Sequence, residues 1–260
     1  MKLSGSTILI TGGTSGIGYE FAAQLIKRGN TVIVTGRDQS RLEQAQESLP
    51  GIHTFQNDVS SAKAISCLFD AVVEKFPALN VLINNAGIMR KINLLDQYHL
   101  DDISREIETN LTGTVRMVAQ FLPHLRTREA SAIVNVSSGL AFVPLPIAPV
   151  YCATKAGIHS FTLSLRVQLK NTPIKIFEVA PPITRTSLFT KDMNADDVKG
   201  VRMMDVSEMV GQAIRGLERN QLEIRPGLSN VLKLMSRIAP QLILKRLSKS
   251  VGEHDSQRSE

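Results

Sequence analysis

Short apolar runs alternate along the chain with longer amphipathic stretches. The runs ILI at 8–10, VIV at 32–34, VLI at 81–83 and IVNV at 133–136 are apolar on consecutive residues. Strands covered by helices on both faces read this way, whereas a strand with one wet face alternates. Strands are expected at 7–11, 31–35, 52–56, 81–84, 132–136, 174–179 and 222–224. Helical periodicity falls near 17–28, 39–48, 61–75, 101–126, 150–170 and 206–219. Repeated β-then-α order with short connections predicts parallel strands joined by right-handed crossovers. The expected fold is an α/β, Rossmann-like doubly wound parallel sheet of about seven strands with helices on both faces. It spans 1–228 as a single domain. Residues 229–260 form a basic helical extension whose last residues, from Gly252, are polar and expected to fray.

The chain has 260 residues, 43% hydrophobic and 21% charged. A chain of this length can bury roughly three quarters of its unfolded surface, so it needs neither disulfide staples nor a structural metal. Cys67 and Cys152 make no disulfide framework and no zinc-ligand spacing, which points to a reducing, cytoplasmic setting. The first apolar run, 7–11, is strand-length, far short of a signal peptide or a membrane span.

Thirty Lys and Arg against 24 Asp and Glu give +6. Segment 231–250 carries Lys233, Arg237, Lys245, Arg246 and Lys249 with no acid, so the basicity belongs to one segment. Two short helices broken at Pro240, covering the core or a subunit interface, are its expected form. Peripheral contact with a membrane surface is an alternative. Nucleic acid is not expected, because no recognition motif accompanies the charge.

Strand 1 runs into Thr11-Gly12-Gly13-Thr14-Ser15-Gly16-Ile17-Gly18, followed by an amphipathic helix. Glycines let the chain turn sharply and bring bare backbone N–H groups to a pyrophosphate at a helix N-terminus. The spacing is GxxxGxG rather than GxGxxG. After strand 2 an acid would hold a ribose 2′-hydroxyl and an arginine would accommodate a 2′-phosphate. Here Gly36 stands at the acid position and Arg37 follows, so NADP(H) is the preferred cofactor and NAD(H) stays possible. Asp38 is expected to cap the next helix. Tyr151 and Lys155 are spaced i, i+4 on a helical stretch and share a face. An ammonium beside a phenol favours the phenolate and lowers its pKa. Ser138 ends a buried strand, where open α/β sheets build their crevices.

Taken together, Thr11–Gly18, Asn84-Asn85-Ala86-Gly87, Asn110, Ser138 and Tyr151-x-x-x-Lys155 resemble the short-chain dehydrogenase/reductase family over roughly residues 5–190. The wording around Ser138, Tyr151 and Val179-Ala180-Pro181-Pro182 resembles its DltE-like branch. The resemblance implies that Tyr151 exchanges a proton with the substrate oxygen as hydride moves to or from the nicotinamide. It implies that Lys155 holds the nicotinamide ribose, Ser138 the carbonyl oxygen, and Asn110 a relay water. The cofactor contacts it implies are Gly12, Thr14, Ser15, Gly16, Ile17 and Gly18 at the turn, then Arg37, Asp58 and Val59, and Asn85, Ala86 and Gly87. Tyr151, Lys155, Ile183 and Thr186 complete that set. No metal is called for.

Pro182 departs from the glycine usual after strand 6, which removes a backbone donor and fixes φ. Residues 183–204 are expected to close over the substrate. The activity these residues imply is NADP(H)-dependent interconversion of a small-molecule carbonyl and a secondary alcohol, by a homodimer or homotetramer. Two alternatives stand beside it: a catalytically silent nucleotide sensor or scaffold, and a 3-oxoacyl reductase or hydroxy-acid dehydrogenase.

Overall fold

Seven strands form one parallel sheet in the order β3-β2-β1-β4-β5-β6-β7. They are β1 (Thr7–Thr11), β2 (Thr31–Gly36), β3 (Ile52–Gln56), β4 (Leu79–Asn84), β5 (Ser131–Val136), β6 (Ile174–Val179) and β7 (Glu223–Ile224). This is a computed structural model, and it describes residues 3–186, 188 and 203–255. The consecutive apolar residues of each strand divide between two cores. Ile8, Ile10, Val32, Val34, Val81 and Ile83 face α1 (Gly16–Ile26), α2 (Gln39–Ser48) and α7 (Val206–Glu218). Leu9, Ile33, Leu82, Ile133 and Ile176 face α3 (Ala62–Lys75), α5 (Gly113–Arg126) and α6 (Pro149–Gln168). Each fully buried Leu, Ile or Phe contributes about 1.5–3 kcal/mol. Phe21 and Phe121, both wholly buried, anchor the opposite faces.

Local chemistry explains most helix starts. Asp38 caps α2, its Oδ1 accepting from the Ser40 and Arg41 amides at 3.0 and 3.3 Å. Ser61 Oγ caps α3 by accepting from the Ala64 amide at 3.2 Å. Pro149 opens α6 at a position where its missing N–H costs nothing.

The single helix expected at 101–126 is instead three pieces. A short α4 (Leu100–Ile103) precedes a π-helical turn, Ile107–Thr112, which leads into α5. The extra residue in the π turn resets which side chains face the sheet and places Asn110 inward, fully buried. Other boundaries move by a residue or two, as helix and strand ends do. After β7 come α8 (Ser229–Ile238) and α9 (Pro240–Asp255). Gly252–Asp255 continue α9, and the rest of the expected frayed tail lies outside the described residues. So does most of the expected lid, 187 and 189–202.

Candidate active site

All strands point their carboxyl ends to one side, and a cleft of about 910 Å³ opens there, above β1, β4 and β5. The crevice sits where strand order reverses on either side of β1, the place such sheets bind ligands.

The glycine turn forms its floor. Gly12 and Gly16 have φ of +66° and +55°, which L side chains rarely adopt. A Cβ on Gly12 would come 2.9 Å from Ala86 Cα. The turn is braced from β4. Thr11 Oγ1 accepts from the Asn85 and Ala86 amides, each at 3.0 Å, and Asn85 Nδ2 donates to the Thr11 and Gly12 carbonyls at 3.1 and 3.0 Å. Ser15, extended, precedes α1 without capping it by its side chain, so first-turn amides remain for an anion. Gly12, Thr14, Ser15, Gly16 and Ile17 line the cleft, while Gly18 lies behind them against the Gly12 carbonyl and Asn85.

At the far end the wall is Gly36, Arg37, Asp38 and Arg41, with Asn57, Asp58 and Val59. Asp38 is occupied by its capping bonds and by Arg41, 3.8 Å away. Arg41 is a second cation beside Arg37 that the sequence reading missed; its position on the first turn of α2, beyond the cap, was the available signal. Asp58 Oδ1 accepts from the Ser60 amide and hydroxyl at 2.9 and 2.8 Å. Asn57 lines the same wall, only 5% exposed, and neither its Oδ1 nor its Nδ2 has a hydrogen-bond partner. A buried amide left unpaired costs about 1–3 kcal/mol, so this wall is built for a polar ligand edge. The bare glycine floor, the orphaned Asn57 amide and the paired arginines fit a dinucleotide.

The catalytic candidates converge where β5 ends. Ser138 and Tyr151 share the cleft wall, and Ser138 Oγ accepts from the Leu140 amide at 3.1 Å. Lys155 Nζ donates to the Val136 carbonyl at 2.9 Å and lies 5.6 Å from the Tyr151 ring centroid. Asn110 lies outside the cleft lining, one layer behind. Its Oδ1 accepts from the Ile88 amide at 2.8 Å, and its Nδ2 donates to the Ile88 carbonyl and to Thr154 Oγ1 at 2.8 and 3.1 Å. It braces the loop after β4. Ala86 and Gly87 line the cleft from that loop.

One electrostatic expectation is corrected. Burial raises the Tyr151 phenol above the ordinary tyrosine range, opposed by Ser138. The Lys155 ammonium is directed to a backbone carbonyl and does not offset that burial. Lys155 is itself pulled down to about 8 by burial. Tyr151 therefore keeps its proton through the neutral range.

The lysine shift has a consequence for stability. Between about 8 and the ordinary 10.5 the unfolded chain holds more protons than the folded one, so stability rises with pH across that window. Below pH 8 the buried ammonium costs at most about 3 kcal/mol. Lys155→Met is expected to stabilise the cofactor-stripped protein at pH 7 by about 2 kcal/mol, after about 1 kcal/mol for the lost hydrogen bond. That gain should vanish by pH 10.5. Thermal melts at both pH values read this out, and an unchanged gap would contradict it.

Ile183 and Thr186 also line the cleft. Thr186 lies against the turn, its Cβ 3.3 Å from where a Gly16 Cβ would stand. The segment around them is tied down: Thr184 bridges to Met204, the Arg185 amide donates to the Met204 carbonyl at 3.2 Å, and Thr184 Oγ1 donates to the Pro182 carbonyl at 2.8 Å.

The family model for short chain dehydrogenases matches residues 6–197. An oxidoreductase of Bacillus subtilis (strain 168), DltE, is 43% identical over 229 residues, covering 86% of this chain and 89% of that protein. A short-chain dehydrogenase from Sphingobium yanoikuyae, solved with NADPH, superposes with a TM-score of 0.77 at 26% identity, covering 98% of this chain and 95% of that one. A short-chain dehydrogenase/reductase from Burkholderia phymatum, solved with NAD, reaches 0.81 at 20% identity over 91% of this chain and 95% of that one. A seven-stranded sheet of this order, with the glycine turn and Tyr151 at one cleft, agrees with these likenesses, and the chain belongs to the short-chain dehydrogenase/reductase family of oxidoreductases.

Proposed function

We propose that this chain is an NADP(H)-dependent oxidoreductase interconverting a carbonyl and a secondary alcohol, with Tyr151 as general acid/base. The observation that carries the reading is the convergence of Ser138, Tyr151 and Lys155 in the wall of the cleft that the glycine turn floors. The nicotinamide cofactor, when bound, supplies or accepts the hydride. Gly12 to Ile17 would hold its pyrophosphate, and Asn57 to Val59 its adenine. Arg37 and Arg41 would hold the 2′-phosphate, and Lys155 the nicotinamide ribose.

The chain's own part is proton handling. Ser138 orients the substrate oxygen by a hydrogen bond that strengthens as that oxygen gains charge. Tyr151, whose pKa burial raises, donates its proton to that oxygen and recovers it in the reverse direction. Lys155, charged below about pH 8 and steadied by the Val136 carbonyl, would donate to the ribose hydroxyls.

Among the described residues, Met89, Leu140, Ile183 and Leu188 line the cleft nearest Tyr151. Their apolar surface favours an uncharged carbonyl over an anionic one. Exposed Leu163 and Val167 on α6, with Val115 on α5, support the homo-oligomer expected through these helices.

A panel of aldehydes and ketones assayed with NADPH and NADH at the nicotinamide absorbance tests the reading. Arg37→Ala is expected to raise the KM for NADPH by about 10–100-fold, the worth of one charge-assisted contact, and to leave that for NADH nearly unchanged. Equal effects on both coenzymes would remove the 2′-phosphate assignment. Tight NADPH binding with no carbonyl or alcohol turned over would favour a sensor instead.

A further inference from the structure

Helix α8 is amphipathic, and it turns Ser229, Lys233 and Ser236 inward together with Leu232, which packs against Gly139 beside Ser229. Ser229 is fully buried, its Oγ 2.8 Å from where a Cβ on Gly139 would stand. Lys233 pairs with Glu223 of β7 and lies 5.1 Å over the Phe142 ring. Ser236 Oγ donates to the Lys233 carbonyl at 2.8 Å. Val231, Leu234 and Ile238, spaced i, i+3, i+7, occupy the opposite face and are 51%, 57% and 69% exposed. Across Pro240 the stripe continues with Leu242, 62% exposed, and Leu244. Helices of soluble proteins normally bury such a stripe. An uncovered one rimmed by polar residues marks an interaction surface.

The rim is basic. Arg237, one turn from Leu234, and Lys245, one turn from Leu242, are both exposed. Segment 231–250 contains five cations and no acid, and of the three whose side chains are described, Lys233 is turned onto Glu223 while Arg237 and Lys245 are exposed. A second copy docked here about a two-fold axis would bring the two basic rims together, with no acid of that segment to answer them. An anionic lipid surface answers both features, because acyl chains accept the leucines and headgroups the cations. No helix among the described residues is long and apolar enough to cross a bilayer, so the contact would lie in the interface plane. We propose that α8 and the start of α9 form a docking surface for anionic membranes.

Sedimentation of the full-length protein with vesicles tests this. Wild type should pellet with phosphatidylglycerol/phosphatidylcholine vesicles, much less with phosphatidylcholine alone, and less at high salt. Arg237→Glu with Lys245→Glu should weaken binding tenfold or more, and Leu234→Ser with Ile238→Ser should abolish it. Both variants should melt like wild type. Wild type that ignores anionic vesicles overturns the proposal without any variant. So would folded variants that still pellet, or a wild-type dimer that Leu234→Ser with Ile238→Ser turns into monomers.

Discussion

Tyr151→Phe is expected to lower kcat for carbonyl reduction by about 10²–10⁴-fold, the usual worth of a positioned general acid. NADPH affinity, followed by fluorescence titration, should stay within a few-fold of wild type. Only an oxygen is removed. The ring, 6% exposed, keeps its packing against Met89, Leu140 and Cys152, and the fold has no reason to relax. Ser138 keeps the Leu140 amide. Lys155 keeps its bond to the Val136 carbonyl. A single-turnover experiment separates the outcomes: the hydride step should slow together with kcat, because proton donation and hydride arrival at the carbonyl are coupled. Retained turnover would mean that the proton comes from elsewhere.

Gly18→Ala is expected to be the most damaging of small changes. The new methyl would stand 2.3 Å from the Gly12 carbonyl oxygen and 2.5 Å from Asn85 Nδ2. Neither neighbour can move freely, since one is backbone of the turn and the other holds that turn to β4. Overpacking of this kind costs about 1–3 kcal/mol or more. Relieving it would lift α1 away from the glycine turn. NADPH binding should fall by at least about tenfold, since about 1.4 kcal/mol is a factor of ten. Gly29 is a fit control. Its φ is +75°, and nothing lies within 4 Å of an added Cβ. Gly29→Ala should therefore cost only the backbone strain, about 1–2 kcal/mol, and leave NADPH affinity alone. Denaturant melts and coenzyme titrations on both variants check the contrast. Equal loss of coenzyme affinity in the two would show that the turn is not held as described.

The sheet was legible because its signal is simple. Consecutive apolar residues in strands such as 8–10 and 32–34 require cover on both faces, and both faces are covered. Asp38 was legible as a cap because an acid before a helical stretch has local work to do. The π turn at Asn110 was not, since a periodicity search over 101–126 absorbs one additional residue without changing the apolar count. The Tyr151 to Lys155 spacing gave the shared helix face correctly. It could not say that the ammonium would be spent on the Val136 carbonyl, which depends on where β5 ends beside α6. Arg41 is not legible from the end of β2, because it stands beyond the Asp38 cap on the first turn of α2. The orientation of α8 was beyond reach as well. An amphipathic pattern reveals that a helix has two faces, and only the tertiary contacts of Ser229 and Lys233 say which one turns inward.

The strand order at the centre of the sheet bears on biosynthesis. Thr7 pairs with Thr31 on one side but with Leu79 on the other. A nascent chain that has released only β1, β2 and β3 can pair those three strands, yet the β4 side of β1 stays bare. That edge is Ile8-Leu9-Ile10, a sticky template for any neighbouring polypeptide on the same polysome. It is capped only when 79–84 clear the ribosome, which gives co-translational chaperones a defined interval in which to hold the growing half-sheet.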